Sequence, residues 1–238
     1  MTAAEEETVE LTFRLAAGPP PGRQARAAAV VLGDEACTAE FLTARSVRLE
    51  DGGRLRQILV ADGPRRAAGY ERLDNEILAG RRLHAVTGTA GYPAAVSRLH
   101  GDEAESAAPY ALLDPYPGEP LAAVVGRMTR EEQQAFEVSL LIGLSWLEAA
   151  GIAHRGLTPS TVRWDGRTGQ AQITDFSLCT VFGVPRTPAG DPEWAALEQR
   201  PGGQVTGLVS SRDDMYTAGR LIYYARTQDA KLSDRGQL

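Results

Sequence analysis

The sequence predicts an α+β protein whose first part consists mainly of strands and whose second part is mainly helical. Short apolar stretches separated by proline- and glycine-containing breaks fill the first 62 residues, which is typical of strands and turns. Helical periodicity appears once in the first part, around Tyr70, and becomes the main pattern after residue 129. With 238 residues, 43% of them apolar, the chain can form a real core as one domain or two modest ones.

The β-rich part is predicted to contain four strands in its first 62 residues. The stretches VELTFRLA and ARAAAVVLG flank AGPPPGRQA, residues 17–25, where three consecutive prolines exclude a helix or a central strand. EFLTARSVRL and RLRQILVAD are separated by EDGG, residues 50–53, which predicts a hairpin. We expect residues 1–26 to form an opening strand and a proline-rich linker.

One helix and two more strands are predicted next. In ERLDNEILAGRRL, residues Leu73, Ile77 and Leu83 recur on one helical face. AAVSRLH, residues 94–100, and APYALLDPY, residues 108–116, have strand composition, and the turn residues PGEP follow at 117–120.

The helical part begins with a capping box at Thr129 and Glu132. Leu140, Leu144 and Leu147 then recur at i, i+4 and i+7, and Gly151 ends the helix. TVRW and AQITD, joined by DGRTGQ, predict a β-hairpin. A second helix start is predicted at Ser211-Arg-Asp-Asp214, followed by an apolar stripe consisting of Met215, Ala218, Leu221, Ile222 and Ala225.

Composition excludes several classes of function. Cys37 and Cys179 are too few for a disulfide framework, and the three histidines form no metal-spaced pair. A net charge of −6 disfavours nucleic acid as a partner, and no apolar run reaches the length of about 20 residues that a membrane span needs. The N-terminus is acidic where a signal peptide would be basic, so we expect a cytoplasmic protein with neither nucleic-acid nor membrane partners.

Four motifs in the second part resemble the motifs of protein kinases, in the same order. HRGLTPST at 154–161 is similar to the catalytic loop H-R-D-L-x-x-x-N, and ITDFS at 173–177 to the D-F-G motif. GDPEWAALEQ at 190–199 and SRDDMYTAG at 211–219 resemble the A-P-E segment and the start of the F helix. The resemblance implies a bilobed protein kinase-like fold of the bacterial Ser/Thr type, with a β-rich N-lobe at 27–116 and a C-lobe at 117–238 that is truncated after the F helix. Whether the natural chain continues past Leu238 stays open.

The resemblance also implies where the catalytic groups of the second part would lie, and several are replaced. Gly156 stands at the position of the catalytic aspartate, which accepts the substrate proton in the family. Thr158 replaces the loop lysine, and Thr161 replaces the asparagine that holds the second metal ion. Asp175 matches the aspartate that holds magnesium, although an alternative role for it is to cap the following turn.

In the first part, the implied nucleotide-binding positions are Gly33, Leu59, Glu76 and Leu113. The strand lysine should lie near Leu59, but Lys231 is the only lysine of the chain. Gly33 is the one glycine left where the family has a glycine-rich loop, because DEACTA follows at 34–39. Glu76 matches the C-helix glutamate and would be a solvated carboxylate or an arginine partner, while Leu113 lies in the stretch similar to the hinge. Arg54 or Arg56 could substitute for the lysine, but an exposed arginine is the favoured interpretation.

The retained residues match structural roles in the family. Asp214 resembles the aspartate that hydrogen-bonds the catalytic-loop backbone, and His154 resembles the packing histidine of that loop. Arg155 could meet a phosphate on Thr187, but a surface ion pair is the favoured interpretation. Glu198 resembles the glutamate whose arginine partner belongs to the region that the truncation would remove.

The resulting hypothesis is a catalytically inactive protein kinase-like domain, a pseudokinase, that acts as a protein-binding, scaffolding or regulatory module. We expect no cofactor, with weak binding of ATP or magnesium as the exception. The alternatives are a nucleotide-binding sensor and a divergent Ser/Thr protein kinase that uses ATP with Asp175. The expected partner is another protein or a second copy, bound through the surface of the F helix.

Overall fold

The computed structural model describes residues 7–17, 22–35, 41–87, 91–200 and 205–230. The chain divides into two compact units. The first consists of Met1–Ala85 and Arg98–Pro115, and the second of Val86–Ser97 and Tyr116–Leu238. Cys37 and most of DEACTA lie outside the described residues.

The first unit contains a closed antiparallel barrel of six strands. They are β1 (Thr8–Leu15), β2 (Gln24–Glu35), β3 (Leu42–Leu49), β4 (Arg54–Val60), β5 (Leu99–Glu103) and β6 (Tyr110–Leu113). Their order around the barrel is β1-β2-β3-β4-β6-β5, and pairing of β1 with β5 closes it. A closed barrel leaves no strand edge unpaired.

Apolar side chains from alternate strand positions fill the barrel. The core residues are Leu11, Phe13, Ala29, Val47, Leu55, Tyr110 and Leu112. Tyr110 brings a polar group into this core, and its hydroxyl donates a hydrogen bond to the carbonyl of Thr12 at 2.8 Å. Alternation of this kind along β1 buries Leu11 and Phe13 on one face, as the period of two in a strand requires.

The first 26 residues differ from the separate strand and linker that the sequence predicted. β1 is an integral barrel strand, because it pairs with β2 from Thr8 to Arg14 and also with β5. The predicted boundary between residues 26 and 27 falls inside β2. The prolines at 19–21, which predicted the linker, lie outside the described residues.

The long helix of the chain's first half is α1 (Arg66–Thr87), which extends beyond the stretch 71–83 on which it was predicted. Leu73, Ile77 and Leu83 are buried as the periodicity indicated. Arg81 binds the buried carboxylate of Asp102 on β5, with distances of 2.6 Å from Nη2 to Oδ1 and 3.1 Å from Nε to Oδ2. Burial raises the pKa of Asp102, and Arg81 opposes that shift.

The stretch 94–100 was predicted as a strand, but only its last two residues belong to β5. Val96 instead forms an isolated parallel bridge with Ile173 in the second unit, and Tyr92 donates a hydrogen bond to the carbonyl of Ser97. Apolar composition alone therefore identified buried residues here, and the hydrogen-bond partners decided their conformation.

In its described residues, the second unit contains the α-helices α2, α3 and α4 and several short strands. They are β7 (Glu119–Pro120), α2 (Leu121–Val124), α3 (Arg130–Ala149), β8 (Ile152–Ala153), β9 (Val162–Asp165), β10 (Gln170–Ile173), β11 (Thr180–Val181) and α4 (Arg212–Thr227). The predicted hairpin is confirmed as β9 and β10, and β9 also pairs with β7. β8 pairs with β11. No helix of the described residues is long and apolar enough to cross a membrane.

Helix α3 has the start and the buried face that the sequence predicted. The amide of Glu132 donates to Oγ1 of Thr129 at 3.2 Å, and the amide of Thr129 donates to Oε2 of Glu132 at 2.8 Å. The three periodic leucines are buried, and Gly151, with φ +66°, follows the helix end. The capping box and the periodicity are therefore confirmed.

Helix α4 starts where the sequence predicted it, directly after Ser211, which holds the N-cap position. Ser211 makes no side-chain capping bond. The carboxylate of Asp214 binds the backbone amides of His154 and Arg155 instead. Met215 is 51% exposed and does not belong to the buried stripe, whereas Ala218, Leu221 and Ala225 are buried.

Two glycines with similar φ angles provide a test of close packing at β7. At Gly118 (φ +65°), the carbonyl oxygen of Trp164 lies 2.1 Å from the position that a Cβ would take. At Gly169 (φ +68°), no atom of the described residues lies within 4 Å of that position. Gly169→Ala should cost about 1–2 kcal/mol of unfolding free energy from backbone strain alone. Gly118→Ala should cost about 1–3 kcal/mol more, because the added methyl group overpacks the site. Urea denaturation of both variants measures the difference, and equal losses would contradict the close approach.

Candidate functional site

The residues that the sequence singled out fall into one set in each unit. The set of the second unit centres on the loop 154–161, which connects β8 to β9. His154 is completely buried, and its ring lies 4.9 Å from the Phe176 ring, centroid to centroid. Its Nδ1 accepts from the amide of Gly156 at 3.1 Å, so its Nε2 carries the proton and donates to the carbonyl of Thr174 at 3.0 Å. His154 therefore fixes the loop from inside the core.

Asp214 holds the start of the loop through two backbone hydrogen bonds. Its Oδ2 accepts from the amide of His154 at 2.6 Å, and its Oδ1 accepts from the amide of Arg155 at 2.8 Å. The residue is 3% exposed. Burial raises the pKa of Asp214, and the hydrogen bonds from the amides of Arg155 and His154 oppose that shift. One carboxylate on α4 thus satisfies two buried donors of the loop.

Arg155 is not at the surface, so the predicted surface ion pair is wrong. The residue is 9% exposed and has φ +63°. Its Nη2 donates to the carbonyl and to the hydroxyl oxygen of Thr187. Within the described part of the chain its Nε has no hydrogen-bond partner. Burial lowers the pKa of Arg155, although the carboxylates of Asp213 and Asp214 oppose that shift.

The other loop residues bond mainly to the loop itself. Oγ1 of Thr161 accepts from the amide of Thr158 at 2.9 Å and lies 3.0 Å from the carbonyl oxygen of Gly156, to which it donates. Oγ1 of Thr158 accepts from the amide of Ser160 at 3.2 Å. Gly156 is buried, and a Cβ on it would lie 3.0 Å from Cδ1 of Leu178. The loop therefore closes on its own backbone.

Asp175 is the exposed carboxylate of this set. It has φ +64°, and its Oδ1 accepts from the amide of Ser177 at 3.3 Å, which is the turn-capping role that the sequence offered as an alternative. No cluster of three or more His, Cys, Asp or Glu side chains able to hold a metal ion occurs among the described residues.

The set of the first unit consists of Gly33, Leu59, Glu76 and Leu113. Gly33 has φ +142° at a register shift between β2 and β3. Leu59 packs against the barrel core, and Leu113 is 1% exposed on β6. Glu76 is 4% exposed, so it is not a solvated carboxylate.

The arginines considered as substitutes for the missing lysine are both on β4. Arg54 is exposed, as expected, whereas Arg56 is half-buried and makes contacts of its own. Arg56 stands opposite Leu113, a residue of the first set, in the pairing of β4 with β6.

Glu198 is half-buried on a short 3-10 turn, Leu197–Gln199, and makes no ion pair among the described residues. Its charge contributes to raising the pKa of Arg186, after the larger effect of Asp213. Gln199, one residue later, is 1% exposed and makes the polar contacts of this turn.

Sequence reasoning missed the network around Asp213. Arg186 Nε lies 2.6 Å from its Oδ1, and Nε2 of Gln199 donates to the same oxygen at 2.8 Å. The amide of Ser210 donates to Oδ2 at 2.7 Å. Two adjacent acidic residues at the start of a helix, Asp213 and Asp214, could have indicated this network. The sequence alone does not show that both are buried.

An apolar groove lies between α3 and α4, with a volume of about 380 Å³. It is lined by Leu141, Leu144, Ser145, Leu147, Glu148, Ile152, Ser211, Asp214 and Met215. Leu141 and Met215 are 40% and 51% exposed, and Val138 and Ile142 on α3 are also exposed. This apolar surface of the second unit includes part of the helix that the sequence predicted as a docking surface.

Comparison with known proteins gives weak and partial similarity to Ser/Thr protein kinases. CBL-interacting protein kinase 17 from Oryza sativa subsp. japonica is 29% identical over 54% of this chain and 29% of its own length. A probable myosin light chain kinase from Dictyostelium discoideum is 31% identical over 44% of this chain and 31% of its own length. A probable serine/threonine-protein kinase from Streptomyces coelicolor is 29% identical over 48% of this chain and 18% of its own length. No family model matches the chain.

A strand-rich N-terminal part followed by a part with the longer helices α3 and α4 is compatible with a kinase-like fold. The weak homology supports a place for the chain in the protein kinase-like superfamily. The chain spans less than a third of the length of these relatives.

The hydrogen bonds of Asp214 predict a large difference between two Asp→Asn variants. In Asp214→Asn the side-chain NH₂ faces a backbone donor, so we expect a loss of about 2–3 kcal/mol of unfolding free energy. Asp175→Asn changes an exposed group with one long bond and should stay within about 0.5 kcal/mol of the wild type. Denaturant unfolding of both variants measures these losses of unfolding free energy. A loss below about 1 kcal/mol for Asp214→Asn would contradict the role of the carboxylate.

Proposed function

We propose that this protein is a catalytically inactive kinase-like domain, a pseudokinase, that binds another protein as a scaffolding or regulatory module. The observation that carries this proposal is the loop 154–161. Gly156 stands where the family has its catalytic base, and it offers no group that can accept a proton. The hydroxyl groups of Thr158 and Thr161 are engaged in bonds within the loop.

The described residues do not fit a magnesium–nucleotide complex. Magnesium needs several oxygen ligands in octahedral geometry, and Asp175 is the one exposed carboxylate of the loop and D-F-G-like set. Oγ1 of Thr161 already accepts one hydrogen bond and donates another, which leaves it a poor ligand. Lys231 is the only lysine in the chain, so no lysine stands where the family pairs one with the phosphates.

The surface of the second unit supports the binding role. Exposed apolar side chains of α3 and α4 border the groove, and Tyr216 and Tyr223 are exposed on α4 as well. Apolar and aromatic side chains grouped in this way are typical of protein interaction sites. The partner is another protein, and a second copy of the chain would show itself as a concentration-dependent mass in light scattering.

A nucleotide-binding sensor or a divergent Ser/Thr kinase is the second candidate. The observation that favours it is the exposure of Asp175, whose carboxylate is open to a ligand. Both versions of this candidate require that Asp175 contributes to binding of the nucleotide.

A phosphoryl-transfer assay tests the inactivity. Incubation of the full chain with labelled ATP, magnesium and generic acceptor proteins should give no more incorporation than Asp175→Asn gives, because the base and the lysine are both replaced. The double variant Gly156→Asp/Thr161→Asn should remain inactive for lack of the lysine. Transfer by the wild type that disappears in Asp175→Asn would refute the proposal.

A melting experiment separates the binding module from the sensor. A ligand present at a hundred times its dissociation constant adds about 2.7 kcal/mol to the stability of the folded state. We expect no change in melting temperature with millimolar ATP and magnesium, relative to ATP with a chelator. A magnesium-dependent rise in the wild type that is absent from Asp175→Asn would establish the sensor instead.

A further inference from the structure

Arg220 is a buried cation on α4 without a carboxylate partner in the described part of the chain. The residue is 7% exposed, and its guanidinium carbon lies 5.2 Å from the centroid of the Trp194 ring. The ion pairs of the described residues, such as Arg186 with Asp213 and Arg226 with Glu137, do not include Arg220. A charge removed from water is costly unless a counter-charge and hydrogen bonds compensate for it.

The hydrogen bonds of Arg220 are incomplete on one edge of the guanidinium. Its Nη2 donates to the carbonyl oxygen of Ala230 at 2.8 Å, and its buried Nε–H has no acceptor among the described residues. Nε and Nη2 form the edge that binds the two oxygens of a carboxylate in a bidentate pair. A neutral carbonyl thus occupies half of a site suited to an anion.

The side chains around Arg220 have the composition of a protein interaction site. Tyr216, Arg220 and Tyr223 follow one another at i, i+4 and i+7, so their Cβ atoms lie along one face of α4. The two tyrosines are 40% and 36% exposed. The Trp194 ring beside Arg220 packs edge-on against the Tyr224 ring, with 5.5 Å between centroids. Residues that dominate binding energy at interfaces are enriched in Trp, Tyr and Arg.

The carbonyl at Nη2 belongs to a short segment outside the helices and strands, although the amides of Gln228 and Asp229 are hydrogen-bonded to Tyr224 and Thr227. α4 ends at Thr227, Gln228 has φ +61°, and residues 228–230 form no regular secondary structure. Segments with few backbone hydrogen bonds open at low free-energy cost. An incoming carboxylate therefore competes with one neutral acceptor rather than with an element of the fold.

We infer that this face of α4 binds an acidic segment of a partner protein. An Asp or Glu carboxylate of that segment accepts from Nε and Nη2 of Arg220 in place of the Ala230 carbonyl. Tyr216 and Tyr223 contact the residues on either side of it. A protein segment fits better than a small free anion, because the tyrosines offer contact area beyond the reach of one carboxylate. This inference rests on the proposed function, since it names the chemistry of the partner.

The test uses the full chain and a matched pair of peptides. The probe is an acetylated and amidated octapeptide of alternating Glu and Leu, and its counterpart has Gln in place of Glu. Calorimetric titration should give at least about tenfold tighter binding of the Glu peptide, as a charge-assisted bidentate pair provides. The Nε–Hε resonance of Arg220, assigned by its loss in Arg220→Lys, should shift on saturation with the Glu peptide.

Two variants on the same helix serve as a matched comparison. Arg220→Met should remove the preference for the Glu peptide, whereas Arg226→Met, which alters an arginine paired with Glu137, should keep it. If Arg220→Met does not fold, the resonance of the wild-type protein still decides the question.

Three results would overturn the inference: equal affinities for the two peptides, an unshifted Arg220 resonance, or glutarate binding as tightly as the Glu peptide. The last result would indicate a small-molecule site. No nucleotide is present in the titration, so its outcome is independent of the phosphoryl-transfer assay.

Discussion

The second unit depends on the contact between the Asp214 carboxylate and the amides of His154 and Arg155. Three features require it: Arg155 has a positive φ, both amides are buried, and the loop that follows has little regular structure. A non-glycine residue with positive φ persists only where its surroundings over-determine it. One carboxylate on α4 supplies that constraint, and His154 adds a second through its ring.

Asp213 and Asp214 each stabilise a different segment of the second unit. Asp214 fixes the loop, while Asp213 joins Arg186, Gln199 and the start of α4. Arg186 also donates to the carbonyls of Thr206 and Leu208. Adjacent residues of a helix point about 100° apart, so two neighbouring carboxylates can reach different partners. Helix α4 therefore holds two irregular segments through its buried carboxylates. Its exposed face takes no part in these contacts.

Most of the confirmed predictions come from patterns among residues that are close together in the chain. The capping box of α3, its leucine periodicity and the β9–β10 hairpin depend on residues close in the chain, and all three are confirmed. Closure of the barrel by β1, the bonding of Asp214 to the loop and the burial of Arg155 depend on partners far away in sequence. At the site, the sequence alone predicts that Gly156 replaces a catalytic aspartate, but it shows neither the network of Asp213 nor the incomplete bonding of Arg220, because burial is a tertiary property.

The loop 154–161 also differs from a typical active site, because the hydroxyl groups of Thr158 and Thr161 bond within the loop, although Nε of the buried Arg155 has no partner among the described residues. Catalytic residues usually lower stability, since they hold charges and strained groups ready for a substrate. Here a buried glycine occupies the position of the base, and Thr161 bonds to the amide of Thr158 and the carbonyl of Gly156. The strain that remains is at Arg155, where Asp214 compensates for it. The two threonine hydroxyl groups therefore bond as in a structural turn, and this bonding supports the proposal of a binding module, because the fold already uses those groups.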